Sequence, residues 1–116
     1  MSIAFNTALT ALRAFEIKMD VNANNIANVE TDGFKKSRVN MKENAQGGVQ
    51  ATTEQINLPG ISLGTNEKTG AERESSNVNG AEEFVDQMVT QYGYEANVLT
   101  VRTAHSMEQS LLDIFS

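Results

Sequence analysis

The stretch AEEFVDQMVTQYGYEANVLTVRTAHSMEQSLLDIF, residues 81–115, decides the architecture. Val85, Met88, Tyr92, Ala96, Leu99, Thr103, Met107, Leu111 and Ile114 recur at a mean step of about 3.6, so they form one stripe along a helix of roughly 52 Å. Asn79 stands where an N-cap belongs, and Glu82, Glu83 and Asp86 lie where the helix dipole favours acids. A second stripe, Tyr94, Val98, Val101, His105, Leu112 and Phe115, occupies another face. Apolar residues on two faces imply burial on two sides. A chain of 116 residues has too little other material to cover both, so the second face is expected to meet neighbouring molecules. Gly93 is the weak point of the helix, about 1 kcal/mol worse than Ala in a helix interior. It either permits a close backbone approach or is simply tolerated.

The other end carries a second helical signal. Phe5, Ala8, Leu12, Phe15, Met19 and Ile26 alternate in steps of three and four, with Asn22 as the one polar interruption. The spacing predicts a helix from Ser2 to about Ala27, roughly 37 Å long, with Ser2 or Asn6 as N-cap. It is expected to stop near Asn28, because Asn tolerates the left-handed conformation, and Thr31-Asp32-Gly33 reads as a turn with Gly supplying a positive φ. Phe34 follows as an anchor folding the chain back onto the helix. The expected fold is mainly α: long N-terminal and C-terminal helices forming a coiled-coil pair, joined by an irregular or β-containing middle. The units are 1–42, 43–80 and 81–116.

In residues 43–80 helical periodicity dissolves into Gly, Asn, Thr, Ser, Gln and Glu. Ile56-Asn57-Leu58-Pro59-Gly60-Ile61-Ser62-Leu63 sets two alternating pairs around a Pro-Gly of type II character, a turn that twists the wrong way for a tight hairpin. So long a stretch without clear structure is usually functional or disordered; strands, an arm and disorder all stay open.

Charge and chemistry narrow the function. The net charge of -6 argues against binding nucleic acid. Residues 1–42 carry six bases (Arg13, Lys18, Lys35, Lys36, Arg38, Lys42) against four acids, whereas Arg102 faces six acids in residues 81–116. The ends either attract one another, within or between chains, or are solvated helix faces. No apolar run is long enough to span a bilayer, so no direct membrane insertion is expected. The first residues lack a basic leader and a small-residue cleavage site, so a cleaved secretory signal is not expected. Without Cys, thiolate chemistry and disulfides are excluded. No metal-binding pair, Gly-x-Ser-x-Gly or phosphate loop occurs, and His105 stands alone as a packing or surface residue, so no catalytic, cofactor or metal site is expected. The cluster Lys35, Lys36, Arg38, Lys42 reads as a solvated loop or a docking patch. Short amides at Asn24, Asn25 and Asn28 both donate and accept, so they can satisfy loop backbone or fix register at a subunit contact.

The run Ala23-Asn24-Asn25-Ile26-Ala27-Asn28-Val29, then Thr31-Asp32-Gly33 and Phe34-Lys35-Lys36-Ser37, resembles the N-terminal motif of the flagellar axial proteins, the family of rod and hook subunits. Asn77-Val78-Asn79, residues 81–89, Tyr94-Glu95-Ala96-Asn97 and residues 103–107 are similar to that family's other end. The resemblance implies a structural subunit of the basal-body rod, polymerising through its terminal helices into an axial tube. Its implied partners are copies of itself, other rod and hook subunits and the flagellar type III export apparatus. Its implied place is the rod in the periplasm, reached without a cleaved signal. The residues then expected to carry assembly are Phe5, Leu12, Phe15, Met19, Asn24, Asn25, Ile26, Asn28, Gly33 and Phe34 at one end. At the other they are Val85, Met88, Tyr92, Tyr94, Ala96, Asn97, Leu99, Val101, Met107, Leu111 and Ile114. The short middle looks most like the small rod proteins of the FlgB and FlgC kind, while the text around Phe34-Lys35-Lys36-Ser37-Arg38 is closer to hook and distal-rod members. Tyr92-Gly93-Tyr94 departs from the family pattern. The rival reading is a soluble coiled-coil adaptor or export chaperone for axial proteins.

Overall fold

The structure, a computed structural model, describes residues 2–116. Two long helices, α1 (Ser2–Ala27) and α2 (Gly80–Phe115), enclose four strands in sequence: β1 (Ser37–Glu43), β2 (Val49–Gln55), β3 (Ser62–Thr65) and β4 (Glu72–Glu74). The molecule is a rod 77 Å long and 25 Å by 18 Å across.

Asn79 caps α2 as its position predicts, its side-chain oxygen accepting from the N–H groups of Ala81 (3.1 Å) and Glu82 (3.4 Å). At the start of α1, Asn6 lies inside the helix and caps nothing, and the side chain of Ser2 lies outside the described residues. At its other end, no described non-Gly residue takes a positive φ, so Asn28 does not end the helix in the left-handed conformation. Its amide instead donates back to the Asn24 carbonyl (2.9 Å) and its oxygen accepts from the Thr31 hydroxyl (3.1 Å). Gly33 does supply the positive φ, at 71°.

The helices pack antiparallel, Glu83 lying beside Asn22 and Asn25 while Gly93 lies beside Phe15. On α1 the seam is the expected one: Phe5, Ala8, Leu12, Phe15, Met19, Asn22 and Ile26 are all buried or half-buried. On α2 it is not. The buried and half-buried line is Glu83, Gln87, Thr90, Tyr94, Asn97, Val101 and Ala104, again in steps of three and four. The long apolar stripe lies open to solvent, with Tyr92 70% and Ile114 75% exposed. Strict heptad spacing keeps a seam facing a supercoiled partner, whereas a 3.6-residue stripe drifts away by about 20° per heptad. The second stripe, expected to face neighbours, thus supplies Tyr94 and Val101 to the intramolecular contact, and the first stripe is the free one.

Gly93 is a close-approach glycine. A Cβ there would stand 2.5 Å from Phe15 Cζ, so the ring packs directly on the α2 backbone.

A second flank of α1 is covered by the antiparallel hairpin of β1 and β2, in register from Ser37 opposite Gln55 to Glu43 opposite Val49. It is fixed at both ends. Asn25 holds Ser37, and at the tip Thr10 Oγ1 accepts from the Val49 N–H (3.1 Å) while donating to the Thr7 carbonyl (2.7 Å). Gly48, at φ 84°, passes so close to Thr10 that a Cβ would come within 2.4 Å of Oγ1. The spans agree: the rise from Asn25 back to Thr10 is about 22 Å and a seven-residue strand covers about 23 Å.

Residues 56–61 form no strand, so Pro59-Gly60 joins two hairpins and closes neither. Gly60 leaves room for the Ser75 carbonyl, which a Cβ would meet at 2.0 Å. Asn77 ties the junction, accepting from the Lys36 N–H (2.7 Å) and donating to the carbonyls of Ile56 (2.8 Å) and Leu58 (3.0 Å). The β3–β4 hairpin hangs from the turn after α1. Gly33 N–H donates to the Glu74 carbonyl (2.8 Å), Lys35 pairs with Glu74, and Arg73 pairs with Asp32 (2.8 Å). Lys35, with help from the Gly60 N–H, holds the Glu74 carboxyl below its ordinary range. Among the described residues no ion pair joins α1 to α2, so the opposite charge bias of the two ends is not expressed as direct pairing.

Two expectations follow. Gly93→Val should destabilise the helix pair by about 1–3 kcal/mol through overpacking against the Phe15 ring. Thermal melts of Gly93→Val, Phe15→Ala and the double variant check it, with the double variant losing less than the two single losses combined. For the hairpin, a depressed carboxyl pKa contributes stability above the ordinary value and loses it as pH falls through the folded value. Exchange protection of the Gly33 amide should therefore drop on acidification below pH 4.5, the ordinary value, and less so in Lys35→Met.

Candidate assembly surface

The best-buried polar cluster lies where α1, β1 and α2 meet. Glu83, 7% exposed, receives the Asn22 amide on one carboxylate oxygen (2.6 Å) and the Asn25 amide on the other (3.2 Å). Asn25, 1% exposed, also donates to the Ser37 carbonyl (2.9 Å) and accepts from the Ser37 N–H (3.1 Å), as a neighbouring strand would. A buried carboxylate without a cation is costly unless its lone pairs are filled, and hydrogen bonds to a charged acceptor contribute about 1.5–3 kcal/mol each. Asn22 and Asn25 sit three residues apart on α1, so one carboxylate reaches both.

Around this lock the pair is open. Between α1 and α2 runs a groove of about 730 Å³ walled by Phe15, Met19, Tyr94, Val98 and Leu99, with Glu16, Glu95 and Arg102 on its rims. Keeping the antiparallel register, Ala104 lies level with the first turn of α1, and α2 continues beyond it. Residues 105–116 are all exposed, Phe115 by 80%. Leu99, Met107, Leu111 and Ile114 line a second hollow of about 580 Å³ along this overhang, continuous with the groove through Leu99 and Arg102.

The expected assembly residues divide three ways. Phe5, Leu12, Phe15, Met19, Ile26, Tyr94, Asn97 and Val101 are half-buried along the helix pair. Val85, Met88, Tyr92, Ala96, Leu99, Met107, Leu111 and Ile114 are exposed. Around the lock, Asn25 is buried, Asn28 and Phe34 are half-buried, and Asn24 and Gly33 are exposed. Asn25 satisfies the Ser37 backbone and Asn28 the Asn24 carbonyl, the first of the two roles open to these amides. Of the basic cluster, Lys35 is engaged by Glu74, while Arg38 and Lys42 are exposed on β1. The two-stripe reading took Glu83 only as a helix-dipole acid, gave no contact role to Thr10 or Asn77, and left out Phe84 and Val89, both exposed. A heptad count starting at Glu83 would have found the first.

Two family models match the chain, one at each end. "Flagella basal body rod protein" matches residues 5–35, and "Flagellar basal body rod FlgEFG protein C-terminal" matches residues 70–114. The chain is similar to the flagellar basal-body rod protein FlgG of Bacillus subtilis (strain 168), 51% identical over 37 residues, which are 32% of this chain and 14% of that relative. It is also similar to FlgG of Buchnera aphidicola subsp. Baizongia pistaciae (strain Bp), 41% identical over 63 residues, which are 50% of this chain and 24% of that relative. The matches therefore span at most about a quarter of the curated relatives' length. Both of these relatives carry the name FlgG, and the C-terminal model is that of the FlgE, FlgF and FlgG group.

The lock should dominate stability. Asn25→Ala removes three hydrogen bonds and leaves Ser37 and Glu83 under-satisfied, so it should cost about 2–4 kcal/mol, read as a lowered melting temperature. Asn24→Ala, at an exposed neighbour, should change it by less than about 0.5 kcal/mol.

Proposed function

We propose that this chain, whose two ends match models of flagellar basal-body rod proteins, is a structural subunit of that family which polymerises through its two terminal helices into the axial rod. The observation that carries this reading is the open side of the helix pair. An apolar groove and an overhang rich in Leu, Ile and Phe stand exposed on a molecule whose buried apolar side chains, among the described residues, are Ala8, Ala14 and Ala104. Exposed apolar surface on this scale is the mark of an interaction site.

The partners are copies of this chain and other rod and hook subunits, and the place is the rod within the periplasm. Passage through the flagellar type III export apparatus belongs to the same proposal. The residues proposed for assembly are those of the open side, Val85, Met88, Tyr92, Leu99, Met107, Leu111 and Ile114. Phe15, Met19 and Tyr94 line the groove from within the pair. Most helical stability comes from packing an amphipathic face, so the helices gain most when neighbours cover this side.

Leu99→Asp and Leu111→Asp, both at exposed positions, should leave the helical circular dichroism of the dilute chain unchanged while abolishing growth of oligomers in sedimentation. Val101→Asp, on the inner seam, should lower helicity itself. A wild-type chain that stays monomeric at every concentration, with a sharp cooperative melt, would favour the adaptor or chaperone reading over the rod.

A further inference from the structure

Seven of the eight glycines are accounted for by the fold. Gly33, Gly47, Gly48, Gly64 and Gly70 take a positive φ, while Gly60 and Gly93 let another part of the chain pass where a Cβ would clash. Gly80 does neither. It stands at the first position of α2, its φ is not positive, and a Cβ built there would meet nothing within 4 Å. Inside a helix Gly is worse than Ala by up to about 1 kcal/mol, so the position loses stability and gains no turn or close contact in return. What sets it apart is chemical. Asn79 precedes it, the chain's single Asn-Gly pair, and Asn79 is exposed. Without a side chain, a glycine amide is the least hindered nucleophile that can follow an asparagine.

We infer that Asn79-Gly80 is a site of spontaneous deamidation, shut in the folded chain and open in a chain that has not yet folded. In the open chain the Gly80 backbone nitrogen gives up its proton and attacks Asn79 Cγ. The new C–N bond closes a five-membered succinimide, the bond from Cγ to Nδ2 breaks, and ammonia leaves with the proton. Water then opens the ring at one carbonyl or the other. The product is aspartate or isoaspartate, the latter with its main chain routed through the side-chain carbons. The fold blocks the first step twice. The ring needs the Gly80 nitrogen and Asn79 Cβ on the same side of the bond between Cα and the carbonyl carbon, whereas a ψ of 107° turns them apart. The side-chain oxygen is also held forward by the N–H groups of Ala81 and Glu82. The Asn79 carbonyl accepts the Glu83 N–H (3.1 Å), so rotating this peptide breaks the first turn of α2. The two products differ in consequence. Asp is as good an N-cap as Asn, so aspartate keeps the helix start. Isoaspartate lengthens the main chain between Asn77, which ties the hairpin junction, and Glu83, which locks the helices. A chain that ages to isoaspartate before folding cannot set both ties together.

The experiment ages the whole chain in native buffer and in urea at one pH and temperature, and follows residue 79 by peptide mapping. Mass spectrometry reads the change from amide to acid, and chromatography separates aspartyl from isoaspartyl peptides. Wild type should form isoaspartate at residue 79 about tenfold or more faster in urea, because reaction in buffer waits on local opening. Gly80→Ala is the chemical control. Its Cβ meets nothing, so the variant should melt no lower than wild type, yet it should lose most of the reaction in urea. Asn79→Asp should melt close to wild type, while the isoaspartyl chain, purified after ageing and returned to buffer, should melt lower. Equal rates in buffer and urea would overturn the protection by the fold. A residue 79 that stays an amide in urea, or Gly80→Ala reacting as fast as wild type, overturns the site itself. An isoaspartyl chain that melts like Asn79→Asp overturns its consequence for the lock.

Discussion

A single carboxylate governs this molecule. Glu83 is withdrawn from water with two neutral amides to hold it, and taking a carboxylate out of solvent costs several kcal/mol unless its acceptors are filled. That penalty is what makes the contact specific. Sliding α2 along α1 by one heptad would strand the charge away from Asn22 and Asn25 and bring Asp86 or Thr100 against the Phe15 ring in place of Gly93. The carboxylate and the close approach at Gly93 select the same register. The length of the overhang follows, because the register decides where α1 stops beside α2. Asn25 extends the constraint to the strands by pairing in both directions with Ser37, so the hairpin starts where the helices lock.

This arrangement makes the molecule one-sided. α1 is flanked by α2 and by the hairpin, which is held at its base by Asn25 and at its tip by Thr10. α2 has α1 on one side and nothing on its apolar stripe. The two helices therefore contribute unequally to any assembly: α1 is largely spent within the molecule, and α2 carries the free surface. Small residues make this possible. Thr90, Gly93 and Ala104 bring the α2 backbone close to α1, while most large side chains of α2, Tyr94 and Val101 apart, stay exposed.

The ends of the chain were legible because their signals are local. Helical periodicity, the Asn79 cap and the Gly33 turn each act within a few residues, and they set the bounds of both helices closely. The seam of α2 was hidden because hydrophobicity does not mark it. Glu83, Gln87, Thr90 and Asn97 are polar, and their role appears only once a partner helix is present. The strands were hidden for a related reason. Ser37–Glu43 and Val49–Gln55 are polar segments with weak alternation, and what fixes them is a pair of long-range contacts, from Asn25 and from Thr10, that no window of sequence contains. At the candidate surface, the apolar residues were identifiable as a group, but which face was spent internally was not.

The proposed assembly also accounts for how little this molecule buries. Thr90 keeps its hydroxyl, and Asn22 its amide oxygen, buried without a partner, and each such group costs about 1–3 kcal/mol. Among the described residues the buried apolar side chains are alanines, each too small to offset such a cost alone. An isolated helix pair with these features is marginal by construction. The side chains able to reverse the balance, Leu99, Met107, Leu111, Leu112, Ile114 and Phe115, are the exposed ones, each offering about 1.5–3 kcal/mol on full burial. On the rod reading, that energy becomes available when a neighbour covers the overhang, so order along α2 and attachment to the growing end are thermodynamically one event. A subunit whose large side chains were already buried internally would fold better alone and would have less surface with which to bind the next copy.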